Sequence, residues 1–266
     1  PMAWTLSNPV AGLSHEALAS ILGGRRWLRP RLWRPVAMPA ALAAKAAAGG
    51  GASRAMKSTS DEQARFILDR SYAGLERQLG KHVARLAKRS SHWHRYTATR
   101  AHYGDADLEA KRRFVEEAVA AAAPRRTLDI GANTGEFSEI AAAQGEVVAL
   151  DIDERSVAAI WARARAAGLP VLPLVANFGR PTPALGWRNR ETDSLLARAA
   201  ENFDLVLMLA VVHHLRVTEG VPLAEQLDAV AAITRRHLLV EFVPVADPMF
   251  AALARGRESL CGDCQR

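Results

Sequence analysis

The sequence predicts an α/β fold with a doubly wound parallel sheet, preceded by a basic, mostly helical N-terminal region. Three observations lead to this prediction. From residue 126 onward, short apolar runs alternate with helical patterns, and these runs are nearly continuous, as in strands covered on both faces. The intervening segments are long enough for the helical crossovers that parallel strands need. The first 103 residues instead contain short helical patterns separated by Pro and Gly.

The elements follow in order from these patterns. Residues 61–89 carry apolar side chains at helical spacing opposite a charged face, and residues 107–123 form a helical pattern that Pro124 stops. Strands are predicted at residues 126–130, 146–151, 170–176, 203–210 and 237–243. Helices are predicted at residues 135–143, 154–167, 191–200, 223–235 and 248–256.

Length and composition set the scale of the protein. The 266 residues are 49% hydrophobic and 24% charged, which suits one sizeable core and an accessory region. No apolar run reaches the roughly 18 to 20 residues of a membrane helix, so we expect a cytoplasmic protein with no membrane partner. Because the chain starts with Pro1, we expect a partial sequence.

Charge is unevenly distributed along the chain. Its net charge is +7, and residues 1–126 alone carry 22 Lys and Arg against 10 Asp and Glu, a net charge of +12. Such a region is typical of a nucleic-acid platform or of an ordinary solvated face. Cys261 and Cys264 are a candidate half zinc site or redox pair. No partner ligands stand at matching spacing, so we predict no metal site and an inert tail.

The segment TLDIGANTGEFSEI, residues 127 to 140, carries the strongest chemical signal. Its apolar strand contains Asp129, its glycines Gly131 and Gly135 permit a tight turn close to a ligand, and the next helix begins with free N–H groups. A dinucleotide fingerprint would need G-x-G-x-x-G and a phosphate-binding loop would need Gly-Lys-Ser/Thr, and the segment has neither. The Asp129 carboxylate instead favours a ligand with a cationic amine.

Polar side chains also follow the second and third predicted strands. Asp151 ends the second strand, where a carboxylate can accept hydrogen bonds from both ribose hydroxyls of a nucleoside. Asn177 and Phe178 follow the third, where an amide can read an adenine edge and a ring can cover its face. Each feature alone is more often structural. Three of them on successive strand ends of one sheet predict an adenosyl ligand.

At these residues the sequence resembles the class I S-adenosylmethionine-dependent methyltransferases, whose first motif is an acidic residue followed by G-x-G-x-G. Asn133 occupies the middle glycine position, a departure that asparagine tolerates because it adopts unusual backbone angles more readily than most residues. The ordered motifs of residues 93–258 resemble the bacterial group that contains the nodulation protein NoeA.

This resemblance implies a Rossmann-like sheet of strand order 3-2-1-4-5 and S-adenosyl-L-methionine as cofactor. It implies an N-terminal region at residues 1–103, a methyltransferase domain at 104–260 and a tail at 261–266. The cofactor-binding residues that it assigns are Asp129, Gly131 and Gly135 for the methionine end, Asp151 for the ribose, Asn177 for the adenine, and Asn133 within the turn.

Two adjacent histidines follow the fourth predicted strand, where methyltransferases commonly place substrate-facing residues. His213 and His214 are candidate catalytic bases, because an unperturbed imidazole titrates near pH 6.5. Packing or loop capping by one of them is the structural alternative. Glu241 lies inside the fifth strand, and we expect it to reach the pocket or pair with an arginine, since a buried unpaired carboxylate is costly.

The sequence leaves three functions open. The leading one is methyl transfer to a small-molecule or saccharide-like acceptor, because no Asn-Pro-Pro-Tyr type tetrapeptide follows the fourth strand. The second is an RNA methyltransferase that uses the basic N-terminal region to bind nucleic acid. The third is an inactive cofactor-binding interaction protein, suggested by Asn133 and by the lack of the two further strands that would form a C-terminal hairpin. Without that hairpin the fifth strand is expected to be an open sheet edge.

Overall fold

The computed structural model describes residues 60–87 and 105–244, with isolated positions before residue 45 and after residue 245. These residues fall into two compact units: those up to Ala73 together with Ala184–Asp193, and those from Gly74 to Pro183 and from Ser194 onward. The short helices expected before residue 60, most of the helix at 248–256 and the tail with its two cysteines lie outside the described residues. The predicted domain bounds stay a prediction.

The elements follow one another along the chain in the predicted order. Helices α1 (Asp61–Ala87) and α2 (Asp105–Ala122) come first, followed by β1 (Arg126–Ile130), α3 (Glu136–Ala142), β2 (Glu146–Asp151), α4 (Glu154–Ala167) and β3 (Val171–Val175). A 3₁₀ turn (Trp187–Asn189) precedes α5 (Leu195–Ala199), β4 (Phe203–Met208), α6 (Val212–Val217), α7 (Leu223–Ile233) and β5 (Thr234–Val240). Within the described ranges, none of these helices combines the length and apolar character of a membrane span.

The five strands form one parallel sheet of order β3-β2-β1-β4-β5, which confirms the predicted fold class and strand order. Strand order reverses between β1 and β4, where Leu128 pairs with Val206. In open sheets of this kind, ligands bind beyond the carboxyl ends of the strands on either side of such a reversal.

Side chains from both faces of the sheet are buried, as a doubly wound fold requires. Strand β4 is buried along its whole length. Its residues alternate between two core clusters: Val206 and Met208 pack with Leu128 and Ile130, whereas Leu205 and Leu207 pack with residues of α2 and α3. The same alternation explains why the sequence of β4 is an unbroken apolar run.

Strand β5 begins three residues earlier than predicted. Helix α7 ends at Ile233, and its C-cap Thr234 already has extended backbone angles and donates its hydroxyl to the carbonyl of Val230 at 2.7 Å. The prediction missed this start because Arg235 and Arg236 are polar and exposed, which an edge strand tolerates. Among the described strands, β5 lies at one edge of the sheet.

Candidate active site

A cavity of about 220 Å³ opens at the carboxyl ends of the central strands, beside the reversal between β1 and β4. Its walls come from the turns after β1, β2, β3 and β4 and from one face of α2. Six of the eight predicted site residues line it, namely Asp129, Gly131, Asn133, Asp151, Asn177 and one of the two histidines, His214. The topology therefore brings together side chains that are up to 85 residues apart in the chain.

The turn after β1 requires left-handed backbone angles at three positions. Gly131, Asn133 and Gly135 have φ values of +72°, +47° and +83°, so the asparagine does adopt the angle that its place in the motif demands. The groups that lie closest to the two glycines are side chains of the protein. A Cβ on Gly131 would lie 2.5 Å from Cγ2 of Val211, and a Cβ on Gly135 would lie 2.7 Å from Cγ1 of Ile160. The glycines are needed for the turn and its packing, a requirement that the sequence-based argument had assigned to the ligand.

Asp129 is a buried carboxylate at the floor of this cavity. Its side chain is 3% exposed, and its Oδ2 accepts a hydrogen bond from the hydroxyl of Ser138 at 2.6 Å. Burial raises the pKa of Asp129 to about 6; the Ser138 hydrogen bond opposes this shift, and the negative charge of Asp151 adds to it. A carboxylate held in this way is stabilised by a cationic group that enters the cavity.

Asp151 is held by the turns on either side of it. Its Oδ2 accepts from the backbone N–H of Asn133 at 2.7 Å, and its Oδ1 accepts from the N–H of Asp153 at 2.8 Å. Burial raises its pKa, while these backbone hydrogen bonds lower it. Each oxygen of an ionised carboxylate has a second acceptor position, so Asp151 can still accept from two hydroxyl groups of a ligand.

Asn177 stands in the cavity wall with its amide already engaged. Its Oδ1 accepts from the N–H groups of Gly179 at 2.8 Å and Arg180 at 3.2 Å, and its Nδ2 donates to Oε1 of Glu219 at 3.0 Å. These bonds close the loop after β3. They leave Asn177 with one N–H hydrogen to offer a ligand.

The two histidines lie on different sides of α6. His214 lines the main cavity, whereas His213 faces a separate small apolar pocket with Arg216, Phe242 and Phe250. Their rings are 4.2 Å apart, centroid to centroid. Burial lowers the pKa of each to about 4, and the neighbouring histidine contributes to the shift of His214. Both rings are therefore neutral at physiological pH, and only His214 can contact a ligand in the cavity.

Lys111 and Glu241 form an ion pair at the mouth of the cavity. Nζ of Lys111, on α2, lies 2.6 Å from Oε2 of Glu241, just after β5, and 5.0 Å from the ring centre of Phe137. The expectation that Glu241 is paired is confirmed, but its partner is a lysine where an arginine was expected. The positive charge of Lys111 also lowers the pKa of Asp129, which makes it part of the electrostatics of the site.

Comparison with known proteins identifies the domain. Residues 128–236 match the family model described as a methyltransferase domain, and domains of this family generally depend on S-adenosylmethionine. The match covers β1 to the start of β5 and coincides with a sheet of the order expected for class I enzymes. Residues 128–236 form a class I methyltransferase domain.

The wider chain is similar to a curated protein. It is 28% identical over 266 residues to nodulation protein NoeA of Rhizobium meliloti (strain 1021), an alignment that covers 98% of this chain and 54% of NoeA. The chain thus spans about half the length of this relative. Similar solved structures include the bifunctional kinase-methyltransferase WbdD (20% identity, TM-score 0.43, 60% of this chain and 34% of WbdD) and the YcgJ protein of Bacillus subtilis (18% identity, TM-score 0.36, 52% and 54%).

Glu219 and Lys111 also face the cavity, and neither is among the predicted catalytic or cofactor-binding residues. Glu219 follows α6, and Lys111 precedes the matched region. Neither lies at a strand end or in a motif, and their partners are 42 and 130 residues away in the chain. Lys111 lies just before the first strand, where related folds bring a lid over the cofactor and a plain amphipathic helix is the alternative, but no local signal points to Glu219. Gly135 and His213 are the predicted site residues that do not line the cavity.

The half-buried histidines of the domain predict acid sensitivity. In the unfolded chain His213 titrates near pH 6.5, and in the fold its pKa is about 4, so the unfolded state binds more protons between these values. The contribution of neutral His213 to the free energy of unfolding is therefore fully present above pH 6.5 and is lost as the pH falls toward 4. His213→Gln is expected to lessen the drop in the free energy of unfolding between pH 7 and pH 5 by about 2 kcal/mol. Urea unfolding at the two pH values measures this.

The exposed His237 on β5 provides the matched control, His237→Gln. This variant should lose as much stability as the wild type on acidification. An equal pH dependence for His213→Gln and His237→Gln would contradict the prediction.

Proposed function

We propose that the domain transfers a methyl group from S-adenosylmethionine to a small-molecule or saccharide-like acceptor. The observation that carries the proposal is the alignment of two carboxylates, the buried Asp129 and the half-buried Asp151, on adjacent strand ends around one cavity. The residues fit the donor. Asp129 suits its cationic amine, and the two remaining acceptor positions of Asp151 suit the two hydroxyls of its ribose.

When bound, the donor supplies a methyl group on a positively charged sulfur, which an acceptor nucleophile displaces in line. Binding and alignment supply much of the acceleration of such a reaction. In the apolar part of the cavity, Phe178 and Leu215 exclude water from one side of the ligand. Asp129 would hold the amino group of the donor and Asp151 its ribose, and His214 lines the same cavity.

His214 is proposed to orient the acceptor. Its lowered pKa keeps the imidazole neutral at pH 7, and a neutral ring has one nitrogen of the acceptor type, which suits a hydroxyl or amine donor. A pKa of about 4 also makes it a weak base in the unliganded cavity. The proposal therefore gives His214 an orienting role. The acceptor atom would form its bond to the methyl carbon as the bond between that carbon and sulfur breaks, the electron pair of the broken bond would stay on sulfur, and the proton of the acceptor would pass to solvent water. His213, on the other side of α6, has no such role.

Calorimetric titration with S-adenosylhomocysteine tests the donor site. Saturable 1:1 binding is expected, with a dissociation constant between about 1 μM and 1 mM, the usual range for enzyme substrates. Asp151→Asn should weaken it at least about tenfold, because an amide accepts on one atom only. Glu154→Gln, at an exposed position on α4, is the control and should bind as the wild type does. Absence of wild-type binding would overturn the proposal.

The acceptor class has its own test. Incubation with methyl-labelled donor and a fractionated cell extract is expected to label material of low molecular weight. Label found only in RNA would instead favour the second candidate, a nucleic-acid methyltransferase, for which the net charge of +12 over residues 1–126 is the supporting observation. That candidate also requires RNA affinity that falls steeply with salt concentration.

A further inference from the structure

The loop after β3 leaves the adenine end of the cavity without the acceptor that was expected there. The 6-amino group of adenine is a hydrogen-bond donor and needs an oxygen to accept it. The amide oxygen of Asn177 already accepts two backbone N–H groups, from Gly179 and Arg180, which occupy both of its acceptor positions. Another group in the wall must accept from an aminopurine.

Glu219 is the acidic side chain at that place. It lines the same cavity as Asn177, its side chain is 14% exposed, and its Oε1 accepts from the Asn177 amide at 3.0 Å. Its other oxygen, Oε2, is buried and accepts no hydrogen bond within the described part of the chain. Nε of Arg180 lies 2.6 Å from Oε2 as an ion pair without hydrogen-bond alignment, and the Arg180 side chain is 74% exposed. The carboxylate therefore has unused acceptor positions behind a side chain that can move into solvent.

Close packing fixes the position of this carboxylate. Gly179 has no room for a side chain, because a Cβ there would lie 2.7 Å from Cγ and 2.9 Å from Cβ of Glu219. The amide of Asn177 restrains the same side chain from the other direction. A carboxylate oxygen that is fixed in this way, and that is in an ion pair with the exposed Arg180 side chain but in no aligned hydrogen bond within the described residues, keeps an acceptor position that a ligand can use.

We propose that Glu219 accepts the hydrogen bond of the donor's 6-amino group and so selects a 6-aminopurine over a 6-oxopurine, with Asn177 as the residue that positions Glu219. The proposal rests on the proposed function, since it concerns the purine of the same methyl donor. Under this proposal Glu219, in the segment after α6, recognises the purine. Asn177, at the end of β3, holds the Glu219 side chain in place.

The chemistry of the two purines explains the selection. An ionised carboxylate is only an acceptor, so it bonds to an amino group and repels a carbonyl oxygen placed at the same point. Sites built to bond a polar group reject analogues that cannot make the bond, because the site group is then buried and unpaired. For this single contact we expect the wild type to prefer the 6-amino form by roughly 100-fold.

Glu219→Gln tests the assignment with two ligands, S-adenosylhomocysteine and its 6-oxo analogue S-inosylhomocysteine. Glutamine has the same shape and keeps the acceptor for Asn177, but it replaces the second oxygen with an N–H donor. The variant should therefore bind the inosyl ligand more tightly than the wild type does, and its preference should fall below about tenfold. A purely structural role for Glu219 would weaken both ligands and would give no such gain.

The matched control is Glu225→Gln, a neutralisation at an exposed position of α7, which should keep the wild-type preference. If the wild type binds S-adenosylhomocysteine without preferring it, or if Glu219→Gln keeps the full preference, the inference is wrong while the donor site stands. If the wild type binds neither ligand, the inference falls together with the proposed function.

Discussion

Asp129→Asn is expected to weaken S-adenosylhomocysteine binding about 100-fold at pH 7.5. The carboxylate is 3% exposed, and the amine of the ligand is the cation that compensates its buried charge. Truncating one partner of a buried charge pair typically costs about 2 to 5 kcal/mol, of which the lower part applies here because the ligand amine regains solvent contact through the open cavity. Calorimetry on the two proteins measures the loss.

5′-Methylthioadenosine separates this effect from damage to the cavity. The ligand has the same adenosine but lacks the amino-acid end, so Asp129→Asn should bind it as well as the wild type does, within about threefold. Equal losses for the two ligands would show that the substitution disturbs the whole site, and the charge-pairing role would be rejected.

The same substitution should stabilise the unliganded protein. Burial raises the folded-state pKa of Asp129 to about 6, above the roughly 3.9 of an unfolded aspartate, so the folded state binds more protons between these values. The contribution of Asp129 to the free energy of unfolding therefore falls as pH rises from about 4 to about 6. Asp129→Asn lacks this loss and should gain up to about 3 kcal/mol relative to the wild type between pH 4 and pH 7.5. Its pH dependence is opposite in sign to that of His213, so single variants separate the two groups.

Gly135→Ala is expected to destabilise the fold by about 2 to 4 kcal/mol. Two costs add. Alanine at a φ of +83° is strained, and its Cβ would lie 2.7 Å from Cγ1 of Ile160, a core side chain that is 1% exposed. Ile160 packs against Ala132 and Ala149, which leaves it little room to shift. The free energy of unfolding in urea at pH 7.5 measures the effect.

Gly168→Ala is the matched control for the backbone cost alone. Gly168 caps α4 at a φ of +65°, and a Cβ there would meet no atom within 4 Å. This variant should lose only about 1 kcal/mol, the usual cost of a left-handed non-glycine residue. Similar losses in the two variants would mean that the contact with Ile160 is relieved without cost, against the prediction.

Prediction from the sequence worked best where burial alone decides the structure. The bounds of β1, β2 and α4 agree with the predicted ones, because an apolar run or stripe records directly which face of an element is covered. Where residues are exposed, the apolar pattern is interrupted and the observed bounds differ from the predicted ones. Strand β5 begins at Thr234, which is followed by the exposed Arg235 and Arg236. Helix α6 was not predicted, since its six residues are too few for a helical period to be visible.

The residues of the candidate site also fall into those that the sequence predicted and those that it could not distinguish. Asp129, Asp151 and the turn around Asn133 were predicted because they sit at strand ends, and parallel strands of one sheet bring those ends to one edge. His213 and His214 could not be distinguished, because adjacent residues of a helix point about 100° apart and the sequence does not reveal which one faces the cavity. The contacts of α6 decide it: His214 lines the cavity and His213 does not.

By itself, then, the sequence determined the class of the fold, the order of its strands and the two carboxylates that line the cavity, since these follow from local periodicity and from the ends of strands. Tertiary structure alone decided that Glu219 meets Asn177 across 42 residues and that Lys111 meets Glu241 across 130. The physical reason is that a hydrogen bond or ion pair between distant segments leaves no periodic trace in either one. Such partners exist only once the sheet and its helices have brought their side chains within reach.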